Sequence, residues 1–321
     1  MKQFCFVIMV MGMFCIALQA QNKFDVNGDG IVNGADIVGV YNYIVNGDSE
    51  NDDMTFTVKG VSFTMKKVKG GTFIMGATPE QEGSYNDEKP VHQVTLTEDY
   101  YMGETVVTQA LWKAVTGNLP TEDGPQWYTS TGMGDNYPAY YINYEDVQSF
   151  LAKLNTITGK NFRMPTEAEW EFAARGGSLS KSYQYSGGNS VDDVAWYVGN
   201  SNRTTHEVKT KSPNELGLYD MSGNVWEWCS DWYGSYRSLD VINPTGSISG
   251  SVRVCRGGSW DSSKRMCRIT NRGGHNPSDR GSYRGFRLAL GSIKPKSVIR
   301  KKSCHFLMTA IRKTALYILD S

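Results

Sequence analysis

The stretch Gly217 to Tyr233, GLYDMSGNVWEWCSDWY, limits this chain more than any other. Trp226, Trp228 and Trp232 fall within seven residues, interleaved with Asp220, Gly223, Asn224, Glu227 and Asp231. Large aromatics supply core area, and oxygen-bearing side chains beside a glycine turn supply ligands for a hard cation. The mixture predicts an irregular, aromatic-packed loop closing around calcium. The plain alternative is a buried turn whose carboxylates cap backbone N–H groups.

The rest of the chain must accommodate that loop. Its 321 residues allow one large domain or two, and the 40% hydrophobic content supports a sizeable core. Lys+Arg and Asp+Glu are 33 each, so no global charge points to nucleic acid or an acidic substrate. With 34 Gly and 18 Tyr, a loop-rich, aromatic-cored fold is favoured over a helical bundle. No GxxxxGK, HExxH, CxxC or GxSxG pattern occurs, which removes the common phosphate, zinc and hydrolase readings.

Residues 1–20 read as a secretory signal peptide: one Lys, an apolar run and a small residue before Gln21. A secreted, periplasmic or cell-surface location follows. Asp25 to Asp36, DVNGDGIVNGAD, has calcium-loop spacing. Asp25, Asn27, Asp29, Asn33 and Asp36 would offer side-chain oxygens and Ile31 its carbonyl, with Gly30 at the sharp turn. Residues 49–66 read as a linker and lead-in strand, Thr55 to Thr64 alternating as one strand. Thr108–Thr116 and Tyr144–Thr156 have helical spacing, the second stopped by Gly159. A third helix starts at Thr166 with Glu169 as capping-box partner. Glu167, Glu169 and Glu171 are tempting acid/base residues, although capping accounts for Glu169. His92, alone in an apolar strand, reads as structural.

Several ordered motifs carry a resemblance. LYDMSGNVWEW, FRMPTEAEWEFAARGG (Phe162 to Gly177), RGGSW (Arg256 to Trp260) and GFRLAL (Gly285 to Leu290) resemble the formylglycine-generating enzyme, or sulfatase-modifying-factor, family over residues 67–290. The resemblance implies an α+β, C-type-lectin-like fold with little regular secondary structure. The family's enzymes oxidise a sulfatase cysteine with dioxygen, holding copper(I) between two thiolates, as a soft metal requires. Counted without gaps from RGGS, the two cysteine positions fall on Ser262 and Cys267; allowing a three-residue deletion, Cys267 is not one of them. Either register leaves the thiolate pair incomplete and copper without its ligands. One family calcium site maps to Asp220, the carbonyls of Gly223 and Val225, and Glu227. A second would begin at Asn200 and Ser201, where the loop is shortened.

The loop at 21–48 resembles a single dockerin repeat, which implies a cohesin-like partner or else a calcium-stiffened spacer. Four cysteines remain after the signal segment, and the family motifs favour Cys229 pairing with Cys267. Residues 259–287 are rich in Ser, Asn, Gly, Tyr and Arg, as adaptable binding surfaces are. They resemble the variable ends of retroelement-diversified lectin-like proteins. On that reading Ser259, Trp260, Asp261, Arg265, Asn271, His275, Arg280 and Tyr283 face an unknown protein or glycan ligand. Residues 291–321 form a basic tail, read as an extension or as a basic amphipathic helix on a membrane.

Overall fold

The computed structural model describes residues 53–120 and 127–291. The expected signal segment (1–20), the expected calcium loop (25–36), the tail and Cys304 lie outside the described residues. No helix among the described residues is long and apolar enough to cross a membrane.

Three small sheets organise the domain. The first has the order β1-β2-β5-β12-β6. Its strands are β1 (Met54–Val58), β2 (Val61–Val68), β5 (Tyr100–Gly103), β12 (Ala289–Gly291) and β6 (Phe162–Arg163). The single strand expected over Thr55–Thr64 is instead a hairpin, because Lys59 and Gly60 both take positive φ (46° and 83°). Two successive left-handed residues make the tight turn whose twist matches an antiparallel pair. β2 pairs with β5, so the domain's first sheet already includes residue 54, and the expected boundary at residue 67 falls inside β2.

The third sheet, β3-β4-β8, comprises Gly71–Met75, His92–Leu96 and Val241–Ile242. The second is ordered β10-β9-β7-β11. It consists of β7 (Trp226–Trp232), β9 (Arg253–Arg256), β10 (Arg272–His275) and β11 (Arg284–Phe286). The expectation of a loop over Gly217–Tyr233 is thus corrected in its second half: 226–232 is a strand lying between β9 and β11. Its sequence, WEWCSDW, alternates with the period of a strand. Of its two charged members, Glu227 finds a cation, Arg287, from a distant part of the chain, and Asp231 accepts from the Glu167 N–H.

Helix α1 (Gln109–Thr116) begins with the Thr108 side chain accepting from Leu111 N–H and ends at Gly117 (φ 81°). Helix α2 (Tyr144–Thr158) has an Asn143/Asp146 capping box and stops at Gly159 (φ 64°). Helix α3 (Glu167–Ala174) has the expected Thr166/Glu169 box. Among the described residues a single turn, α4 (Val191–Val194), follows. One apolar cluster gathers Trp112, Phe150, Trp226, Trp228, Cys255 and Phe286. Another gathers Met102, Trp170, Phe172, Leu218 and Cys229.

Candidate functional site

The site is built on the two faces of β7. Trp228 lies opposite Cys255 on β9, and both enter the first apolar cluster together with Trp226. Alternation sends Glu227, Cys229 and Asp231 the other way, toward α3. There the ionic groups are almost fully buried. Glu227 accepts from Arg287 (Nη2–Oε1 2.8 Å, Nε–Oε2 3.0 Å) and from the Trp170 indole N–H (2.7 Å). Its two oxygens serve an internal cation and an indole.

Asp220 accepts from Lys209 N–H (3.0 Å) and sits at φ 57°, and burial pushes its carboxyl up to about 6. At the second expected calcium position, Asn200 accepts from Tyr197 N–H, and the Ser201 carbonyl meets His206 Nε2 at 2.8 Å. His206 is in turn stacked on Trp196, with ring centroids 3.7 Å apart. Among the described residues no three acidic, His or Cys side chains are grouped to hold a metal.

The three glutamates of α3 are all placed by arginines. Glu167 is bidentate to Arg272 (2.6 and 2.7 Å), and Glu169 to Arg163 (2.6 and 2.7 Å). Glu171 binds Arg256, Arg175 and the N–H of Gly76. Burial pushes the Glu167 carboxyl up, but Arg272 and Arg256 outweigh it and hold the group below its ordinary range. Farther out, Glu88 is bidentate to Arg268 (2.6 and 2.7 Å) and accepts from Thr270 (2.5 Å), which fastens the 77–88 loop. Pair geometry of this kind is the strong, charge-assisted form. Sequence reasoning missed these pairs. The only trace is an excess of Arg after residue 252 against acids in 80–171.

Asp231 caps α3, accepting from Glu167 N–H (3.1 Å) and Ser230 Oγ (2.9 Å). Burial and the neighbouring Glu167 charge push its carboxyl up to about 7.

The turn after β9 occupies the place expected for copper chemistry. Gly257 and Gly258 take φ of 95° and 73°. A Cβ on Gly258 would meet the Met266 carbonyl oxygen at 2.8 Å and the Cys267 sulfur at 3.0 Å, so Cys267 packs directly against this turn. The Ser262 hydroxyl accepts from Ser259 N–H (3.1 Å) and pairs with Ser259 Oγ (2.8 Å), and it holds the turn. The donor set does not fit copper(I). Ser262 is a hydroxyl engaged in backbone binding, and burial pushes the Cys267 thiol up to about 12, so it is neutral.

The expected Cys229–Cys267 disulfide is corrected. Cys229, Cys255 and Cys267 are buried free thiols in three different clusters: with Trp170 and Phe172, with Trp228 and Phe286, and with Tyr185 and Val194.

The expected ligand surface divides. Ser259 and Asn271 are buried, so neither faces a ligand. Arg265 lies over the Tyr85 ring and donates to the Gly83 carbonyl. Arg280 is ion-paired with Asp146. His275 meets Arg284 Nη2 through Nδ1 at 2.8 Å and touches Trp226 and Trp228 edge-on; burial and then Arg284 push it down to about 4. What stays together is Trp260, Asp261 and Tyr283. The Trp260 N–H groups reach the carbonyls of Asn224 (2.9 Å) and Ser282 (3.1 Å), which places it beside Tyr283. Asp261 is exposed.

With the geometry in view, comparison with known proteins places the chain. The profile of the sulfatase-modifying factor enzyme 1-like domain matches residues 57–291. The chain belongs to this family. Among sulfatase-modifying-factor relatives, a protein of Paenibacillus barcinonensis named chaperone protein LppX is 31% identical over 71% of this chain and 89% of its own length. The formylglycine-generating enzyme of Streptomyces coelicolor is 29% identical over 70% and 88%. Among solved structures, Treponema denticola variable protein 1 superposes with a TM-score of 0.67 at 34% identity, over 75% of this chain and 99% of that one. PvdO of Pseudomonas aeruginosa gives 0.62 at 29%, over 74% and 98%. The family's C-type-lectin-like, mixed α+β fold accounts for three small sheets joined by long irregular segments.

Proposed function

We propose that this chain is a non-oxidising member of the sulfatase-modifying-factor family, an exported scaffold that binds a protein or glycan ligand at the surface around Trp260, Asp261 and Tyr283. The observation that carries it is the Ser262 hydroxyl, which stands at the ungapped register of a family cysteine and is spent on the 259–262 turn. A hydroxyl cannot replace a thiolate for copper(I), and the three described thiols lie in separate clusters. That relatives carry names as different as chaperone, variable protein and formylglycine-generating enzyme supports a scaffold put to several uses. The N-terminal loop adds calcium and a cohesin-like partner to the proposal. Its test is a calcium titration in which Asp29→Ala lowers the stoichiometry by one equivalent; unchanged stoichiometry rejects the loop.

The central test is copper(I) titration of the purified protein, followed by aerobic incubation with a CxPxR peptide and mass spectrometry of the peptide cysteine. The expected result is no tight copper binding and an unmodified cysteine. Conversion to formylglycine overturns the proposal and restores the oxidase reading.

A further inference from the structure

We propose that the domain carries a second binding site, a cleft for a neutral oligosaccharide, built entirely outside the 259–283 segment. The cleft encloses about 1040 Å³ between α2, β6, the start of α3 and the 243–245 turn. That is at the upper end of the roughly 300–1,000 Å³ typical of ligand sites, room for an extended ligand. Its floor is apolar: Leu151, Met164, Phe162 and Tyr100 are all buried. Its rim carries exposed amides and hydroxyls from Gln148, Asn161 and Thr245, and Asn243, whose amide binds Thr97, shapes the turn.

Charge decides the ligand class. Arg163 is the one cation among the described lining residues, and Glu169 takes its guanidinium bidentately. Asp99 accepts from Gly70 N–H and lies 3.9 Å from the Lys67 ammonium. No cation is left for a phosphate, sulfate or carboxylate. An extended peptide is also disfavoured. The free edge of β6 is closed by Asn155, whose amide takes Phe162 N–H (2.6 Å) and C=O (2.9 Å), so strand addition has no backbone to pair with. What remains are flat hydrogen-bonding groups over an apolar floor, with the exposed Glu98 carboxylate as a further acceptor for hydroxyls. Sugar rings present that same pairing, vicinal hydroxyls at the edge and C–H groups on the face.

Isothermal titration of the full chain with cellohexaose, maltohexaose, xylohexaose and mannohexaose, and with oligogalacturonate as the anionic control, tests this. At least one neutral oligosaccharide binds and the anionic one does not. Ala152→Trp, an exposed α2 position on the cleft wall, weakens that binding at least tenfold at an unchanged melting temperature. Asn161→Ala, also exposed, weakens it severalfold and stands in should the tryptophan variant misfold. No binding by any neutral sugar, binding by oligogalacturonate alone, or affinity indifferent to both substitutions overturns the proposal.

Discussion

The two faces of β7 share seven residues of backbone and are stabilised by different physics. On one face Trp226 and Trp228 pack with Phe286 and Cys255 into an apolar cluster. On the other, Glu227 and Asp231 sit at 0% and 2% exposure among the arginines and the helix start they serve. The aromatic face gains from area removed from water, a contribution that tolerates imperfect fit. The ionic face has no such tolerance, since a buried charge without its partner costs far more than a lost contact. Glu227 relies on a matched cation from elsewhere in the chain, Arg287, and Asp231 on the backbone N–H of Glu167.

Substitutions on the two faces put that contrast at risk. Arg287→Met leaves Glu227 buried with only the Trp170 N–H, and should cost about 3–5 kcal/mol in denaturant unfolding. Trp228→Phe, which forfeits the indole bond to the Ile142 carbonyl (3.1 Å), should cost about 1–3 kcal/mol. Equal losses would mean the two faces are not energetically distinct.

A smaller effect sharpens the comparison through pH. The fold raises Asp231 from 3.8 to about 7, so the folded chain binds that proton more tightly than the unfolded one. Stability contributed by the protonated carboxyl is full below pH 4 and is lost as pH rises toward 7. Asp231→Asn, which keeps an acceptor for Glu167 N–H, should remove most of that decline. A residual slope near pH 6 belongs to Asp220. Melting curves between pH 4 and 8 read both; an unchanged slope in the variant would show that Asp231 is ionised throughout.

Local signals were legible in the sequence and distant pairings were not. The Thr166/Glu169 box, the Gly159 stop and the α1 and α2 helices rest on neighbours within a few residues, and each is found where spacing places it. The same local view took WEWCSDW for a loop, because acids in a strand argue against burial until Arg287 is known to face Glu227 and the start of α3 to face Asp231. Lys59-Gly60 was a readable turn hidden inside an alternating run. The division of residues 259–283 followed from the same blindness. Ser259 and Asn271 have the composition of a recognition surface, yet they are buried.

The position of β12 has a consequence for how the domain is made. This strand contributes Ala289 to Gly291 and lies between β5 and β6, pairing with both. During synthesis the five-stranded sheet therefore stays open until nearly the whole domain has emerged. Residues 54–163 then wait, with their sheet unfinished, for a partner more than a hundred positions downstream.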